Sequence, residues 1–235
     1  MKRYIFQPGW KASVTVCICI AVLLALGSWQ VERLQWKKTV LDTIAQRIDA
    51  PTVDMPENIM DAQKWDYRHV RITGRFMNDN TFFLIPRHDN DIIGAHVLTP
   101  FETDNRILLV NRGFVPEDQV DNINMPTGNL TLSGVLHIPD DKNAFTPLTP
   151  DTGRQIYWTD SDAIATRANI KINTPLVLYA DADKQKDYPH GGQIRMDIPN
   201  NHFQYALFWF GMAGVLLVIY IIFGLKPAKA KNEKN

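Results

Sequence analysis

A histidine, His202, stands where Asn200, Asn201 and Gln204 give way to an apolar run over residues 205–225. Those 21 residues rise about 30 Å as a helix, the thickness of a bilayer's hydrocarbon core. Polar side chains at such a depth are paired, solvated or used as ligands. Two readings of His202 stand side by side. It is an interfacial residue bonded to headgroups or another helix, or an imidazole that binds a metal. On a helix, His202, Tyr205, Ala206, Trp209 and Ala213 share one face at three- and four-residue spacing. The small Ala206, Ala213 and Gly214 leave room there for a flat ring, or for a helix with small residues of its own such as Ala21, Ala25 and Ser28.

A second group lies near the other end of the chain. Trp29, Arg33 and Trp36 recur at i, i+4 and i+7, with Gln30 and Lys37 adjacent. Arg33 and Lys37 supply charge-assisted donors for an anionic group, while the indoles flank a flat one. The same residues suit an aromatic belt with basic side chains on lipid phosphates. A belt accounts for Trp29 better than for Trp36, about 10 Å farther along the helix, so a mixed role is expected.

Other chemistry is thinly represented. His88, Asp89, Asp91 and His96 carry metal-binding atoms, but their spacing matches no helical ligand pattern. They are expected in a turn-rich surface loop between strands. A Gly-x-Ser-x-Gly elbow, a His-Glu-x-x-His pair and a Gly-rich phosphate loop are absent. The only cysteines, Cys17 and Cys19, fall within an apolar segment at residues 12–29, so the rest of the chain has neither a thiol nucleophile nor a disulfide framework. No enzymatic activity is expected. Asn111-Arg112-Gly113 reads as a strand bulge, and Arg68, Arg71 and Arg75 as a solvated strand face.

The elements that must position these residues begin with the two apolar segments. Residues 12–29 are longer than the usual signal-peptide core, so a retained span is expected rather than a cleaved signal. Residues 30–204 carry 18 Lys and Arg against 24 Asp and Glu, and no nucleic-acid partner is expected. Basic residues collect in the tails: Lys2, Arg3 and Lys11 before the first span, and Lys226, Lys229, Lys231 and Lys234 after the second. The bias across the second span places both ends in the cytoplasm. The expected organisation is a cytoplasmic tail (1–11), a transmembrane helix (12–29), a body outside the cytoplasm (30–204), a second transmembrane helix (205–225) and a cytoplasmic tail (226–235).

The first helix is expected to continue beyond Trp29, since Val31, Leu34, Leu41, Ile44 and Ile48 form a stripe and no breaker occurs before Pro51. From residue 67 strand signals dominate. Residues 67–76 and 81–85 flank the Asn78-Asp79-Asn80 turn and predict a hairpin. Further strands are expected over 92–101, 107–115, 130–138, 155–159 and 175–180, with Ile107-Leu108-Leu109-Val110 central in its sheet. Residues 160–169 form a helix capped by Thr159 or Asp160. The fold class is a membrane protein with N- and C-terminal transmembrane helices and a mainly antiparallel β domain (α+β, barrel- or sandwich-like).

Three separated blocks now resemble one family. Leu26-Gly27-Ser28-Trp29-Gln30-Val31-Glu32-Arg33-Leu34-Gln35-Trp36-Lys37 is similar to its pattern Leu-Gly-x-Trp-Gln-x-x-Arg-x-x-Trp-Lys. Val110-Asn111-Arg112-Gly113-Phe114-Val115-Pro116 resembles its Val-Asn-Arg-Gly-Trp-Val-Pro, with Phe114 in place of an indole. Asn200-Asn201-His202-Phe203-Gln204-Tyr205-Ala206 resembles its approach to the second span. Residues 67–76, with Gly74-Arg75-Phe76, form a weaker fourth block. The family is SURF1 (Surfeit locus protein 1), of cytochrome oxidase assembly factors, and the likeness covers nearly the whole chain.

The resemblance implies a role in maturing haem–copper oxidases, with transient binding of haem a and its delivery to the catalytic subunit. It implies that His202 corresponds to the histidine with which bacterial members bind haem a. Arg33 and Lys37 then become expected contacts of the haem propionates, with Trp29, Trp36, Tyr205 and Trp209 beside the ring. Implied partners are the oxidase catalytic subunit, the haem a synthesis machinery and membrane lipid; no enzymatic activity is implied. A cofactor-free scaffold for oxidase subunits is the alternative. The expected setting is a bacterial inner membrane with the body periplasmic, the source being inferred from an N-terminus without an Arg- and Ser-rich transit region.

Overall fold

The computed structural model describes residues 4–140, 142, 144, 146–147, 153–182, 187–194 and 201–227. In chain order the elements are β1 (Tyr4–Phe6), α1 (Trp10–Ile48), β2 (Val53–Asp54), α2 (Ala62–Trp65), β3 (His69–Phe76), β4 (Phe82–Asp89), β5 (Ile92–Glu102), β6 (Ile107–Pro116), β7 (Leu130–His137), β8 (Gln155–Ile156), α3 (Ser161–Ala168), β9 (Val177–Ala180), α4 (His202–Gly224) and β10 (Leu225–Pro227). Short 3-10 helices occupy Asn78–Asn80 and Glu117–Asn122. The chain divides into two compact units, Met1–Asp42 with Asp197–Asn235, and Thr43–Met196.

The first unit is a helix pair. Every third or fourth residue of α1, from Ser13 through Gly27 and Gln30 to Lys37, is less exposed than its neighbours. The same spacing recurs on α4 from His202 through Ala206, Trp209 and Ala213 to Tyr220. Such repeats let two helices interdigitate along a seam. Away from the seam the surfaces are apolar and exposed, with Val14, Ile18 and Val22 on α1 and Leu207, Val215 and Ile222 on α4. Both helices are long and apolar enough to cross a membrane. At the far end β1 and β10 pair antiparallel, Tyr4 opposite Pro227, and Phe6 packs edge-on against Tyr220.

The second unit is a mixed, mainly antiparallel sheet in the order β2-β3-β7-β9-β6-β5-β4-β8, with a further β3–β5 pairing. That pairing closes β3, β7, β9, β6 and β5 into a ring, which leaves those strands no free edge. Val70, Ile72, Phe101, Leu108, Val110, Leu136 and Leu178 form one core cluster. Leu98, Leu109 and Val177 alternate with it on the same strands and pack instead with Phe82, Leu84, Ile156 and Ile164 of α3. β6 is therefore covered on both faces, as its unbroken apolar run requires. Asp160 caps α3, its side chain accepting the Ala163 N–H at 2.9 Å, and Asn169 ends the helix in the left-handed region (φ 51°).

The expected hairpin across Asn78-Asp79-Asn80 does not form. β3 pairs with β7 and, at its end, with β5, whereas β4 pairs with β5 and β8. The 3-10 helix carries the chain onward, held by Asn78 Nδ2 donating to Pro126 O at 2.9 Å and by a buried Thr81–Thr99 hydroxyl contact of 3.0 Å. A turn sequence dictates that the chain bends, and long-range pairing decides which strand it meets. Arg71 and Arg75 do lie on the exposed face, beside Asp54 and Glu102.

The Asn111-Arg112-Gly113 bulge is present. The β5–β6 register slips between Val97, opposite Gly113, and Leu98, opposite Asn111. Asn111 Oδ1 accepts the Gly113 N–H at 3.0 Å, and its Nδ2 donates to His96 Nδ1 at 3.2 Å. Arg112 is buried over the Phe76 ring at 4.6 Å and donates to Asn124 O. Burial lowers its pKa to about 10. Gly113 has φ +124°, and a Cβ there would overlap His190 O. Gly113→Ala is expected to cost about 3 kcal/mol or more, from strain plus displacement of that backbone. Gly128→Ala, at φ +81° with nothing within 4 Å, should cost only about 1 kcal/mol. Denaturant melts of the full chain in detergent measure both.

Candidate ligand site on the helix pair

Gln30 and Gly27 are the buried residues of α1. A buried amide needs a partner, and Gln30 Oε1 lies 2.7 Å from His202 Nδ1. An amide oxygen only accepts, so Nδ1 carries the hydrogen, and in the neutral ring Nε2 has the lone pair. His202 is half-buried and opens α4, where Asn201 provides no side-chain cap.

Small residues stand at this contact. A Cβ on Gly27 would come within 2.7 Å of the Phe210 ring, and Ala206 and Ala213 are buried. Nearer β1, Tyr220 Oη donates to Ser13 Oγ at 2.6 Å. The Ser13–Tyr220, Gly27–Phe210 and Gln30–His202 contacts run in opposite chain directions, so the helices are antiparallel. The room beside Ala206 and Ala213 is thus filled by α1, the second of the two occupants the sequence allows. At Gly214 nothing lies within 4 Å of a built Cβ.

The expected site residues separate into two sets. Trp209 lies on the seam with Gln30 and His202 and meets Phe208 edge-on at 5.3 Å, whereas Lys37 is half-buried about two turns beyond Gln30, past the start of α4. Trp29, Arg33, Trp36 and Tyr205 are exposed. At about 100° per residue, Trp29, Arg33 and Trp36 sit roughly 60–120° to one side of Gln30, and Tyr205 about 60° to the matching side of His202. In an antiparallel pair these displacements fall on one flank. Arg33 lies over the Trp36 ring at 4.1 Å, a cation–π contact. The flank therefore combines three aromatic rings with a guanidinium, next to an imidazole whose Nδ1 is engaged by Gln30. Such a set offers a metal ligand, a donor for an anion and a flat apolar surface.

Gln30 is the residue that sequence reasoning passed over as a mere neighbour of Trp29. The sequence carries its signal: an amide on the same three-four repeat as Ser13, Gly27 and Lys37, amid mainly apolar residues. In the second unit, His88, Asp89, Asp91 and His96 do not share a loop. His88 and Asp89 end β4, whereas His96 is buried within β5 and bonded to Asn111. A cavity of about 570 Å³ is lined there by His88, His96, His137, Trp158 and Tyr179. His137 Nδ1 pairs with Asp66 Oδ1 at 2.9 Å. Burial raises the Tyr179 pKa, opposed by its bond with Asn111. Among the described residues no group of three or more His, Cys, Asp or Glu could hold a metal ion.

These features define a protein with two membrane-length helices enclosing, in sequence, a closed mixed sheet. The SURF1 family profile matches residues 17–214, and the chain belongs to the SURF1 family. Surfeit locus protein 1 of Mus musculus is 29% identical over 215 residues, covering 82% of this chain and 69% of that one. The Homo sapiens protein of the same name is 29% identical over 212 residues, covering 80% and 69%. The SURF1-like protein of Monosiga brevicollis is 27% identical over 218 residues, covering 85% and 82%.

A side chain at Gly27 must push Phe210 aside. Gly27→Leu is expected to destabilise the helix pair by about 1–3 kcal/mol through overpacking, while Gly214→Leu stays within about 0.5 kcal/mol. Unfolding of the full chain by denaturing detergent, followed by helical circular dichroism, distinguishes the two.

Proposed function

We propose that this protein is a non-enzymatic assembly factor for haem–copper terminal oxidases, which binds haem a transiently and passes it to the oxidase catalytic subunit. In a family of assembly factors, the observation that carries this reading is the His202–Gln30 pair. It leaves Nε2 of an imidazole available beside an aromatic flank. His202 Nε2 would ligate the iron, and Arg33 and Lys37 would pair with the propionates. Trp29, Trp36 and Tyr205 would lie against the ring, with Trp209 supporting His202 from the seam. The bound group supplies the iron; the protein supplies a ligand, counter-charges and a surface. A single, half-exposed ligand suits cargo that must leave again. Partners in this role are the oxidase catalytic subunit, the haem a synthesis machinery and membrane lipid.

The lysines after the second helix, Lys226, Lys229, Lys231 and Lys234, support both ends on the cytoplasmic side. In a bacterial cell this is an inner-membrane protein with a periplasmic body. A second reading, a cofactor-free scaffold for oxidase subunits, draws on the filled space at Ala206 and Ala213. Had that space stayed open, it would have been the natural slot for a macrocycle.

Titrating ferric haem a into the detergent-solubilised full chain tests the first reading. His202→Ala is expected to change the Soret band and weaken binding by at least the roughly tenfold that loss of a ligand's hydrogen-bond partner costs. Identical spectra and affinity would remove His202 from the ligand role. In cells lacking the wild-type protein, the His202→Ala variant should leave oxidase poor in haem a. The scaffold reading expects normal content.

A further inference from the structure

We infer that Gln30 is the positioning residue of this site: by accepting the Nδ1–H of His202, it holds the imidazole in the tautomer that presents Nε2 to iron and sets that nitrogen's donor strength. The inference rests on the reading of His202 as a ligand and extends it to the first helix.

Three observations carry it. The bond is short, 2.7 Å, and its direction is fixed by chemistry because Oε1 has no hydrogen to give. Gln30 is 9% exposed, so its amide is shielded from competing water. Gly27, one turn earlier, abuts Phe210 and holds this stretch of α1 against α4. Histidines that bind metals commonly donate their other N–H to a fixed acceptor, which sets the tautomer, orients the ring and raises its basicity. Here the acceptor is a neutral amide, which polarises the ring less than a carboxylate would. The bond also links residues 172 positions apart, so the ring's orientation depends on the helix pair being closed.

The test uses the full chain in detergent loaded with haem a, comparing wild type, His202→Ala, Gln30→Leu and Gln30→Glu. The readouts are affinity by Soret titration and the iron–histidine stretching frequency of the ferrous form by resonance Raman. Gln30→Leu should weaken binding about 10–100-fold and lower the stretching frequency. Gln30→Glu keeps an acceptor but makes it anionic, so it should retain binding and raise the frequency, a shift that mere loosening of the helices does not produce. If wild type binds, His202→Ala fails and both Gln30 variants keep the wild-type frequency, the inference falls while the ligand reading stands. If wild type fails to bind, or His202→Ala binds equally well, the ligand reading falls and takes the inference with it.

Discussion

The hydrogen bond between Gln30 and His202 joins α1 and α4 within a mainly apolar contact. An amide shielded in such a seam is costly unless it is paired. Pairing it narrows several things at once: which face of α1 meets α4, the level at which His202 sits, and which imidazole nitrogen carries the hydrogen. In apolar surroundings such a bond contributes on the order of 1 kcal/mol, modest for stability. Its larger effect is on specificity, because a one-residue rotation of either helix would leave both polar groups unpaired. Gly27 makes room for the Phe210 ring, and the polar pair sets the register.

The sheet unit solves a different problem with the same economy of parts. Closing five strands into a ring removes edges, but the β5–β6 ladder must absorb an extra residue. Asn111 stabilises that irregularity by bonding to Gly113 and His96, and Gly113 takes the backbone angle that a side chain would oppose. Arg112 is carried inward as a result and rests on Phe76. The Asn-Arg-Gly block, chemically the most conspicuous part of the body's sequence, is therefore accounted for by backbone geometry. That leaves the helix pair, rather than the sheet, with the better-supported ligand chemistry.

Much of this was legible from residue types alone. The two apolar helices, the double-sided burial of Ile107-Leu108-Leu109-Val110, the Asp160 cap and the Gly113 bulge each follow from local rules of periodicity, capping or backbone freedom. What escaped was non-local. The Asn78–Asn80 turn could not disclose that β3 would find β7, because the pairing depends on strands more than 50 residues later. His96 looked like part of a loop until its neighbours in β5 were paired and buried. The small residues of α4 were compatible with a bound ring or with a packed helix, and only the positions of Phe210 and Gly27 decide between them. Gln30 had no visible partner because that partner lies at the opposite end of the chain.

The placement of the exposed set now acquires a physical meaning. Trp29, Trp36 and Tyr205 lie off the line on which Gly27, Ala206 and Ala213 stand, although that line also carries the Trp209 indole and the Tyr220 phenol. They are displaced to one flank, next to His202, and Arg33 follows them by stacking on Trp36. Packing the helices and building the flank share one geometry: the three-four repeats face each other, and Trp29, Arg33, Trp36 and Tyr205, which lie between them, turn out on the same side. In the proposed role, a flat anionic cargo would meet rings and a guanidinium on an open surface and iron would meet one imidazole. Openness limits the area buried and a lone ligand limits the strength of the bond, both of which favour release. A deep slot between the helices would have held the same cargo more firmly, and the glycine and alanines that close the seam remove that option.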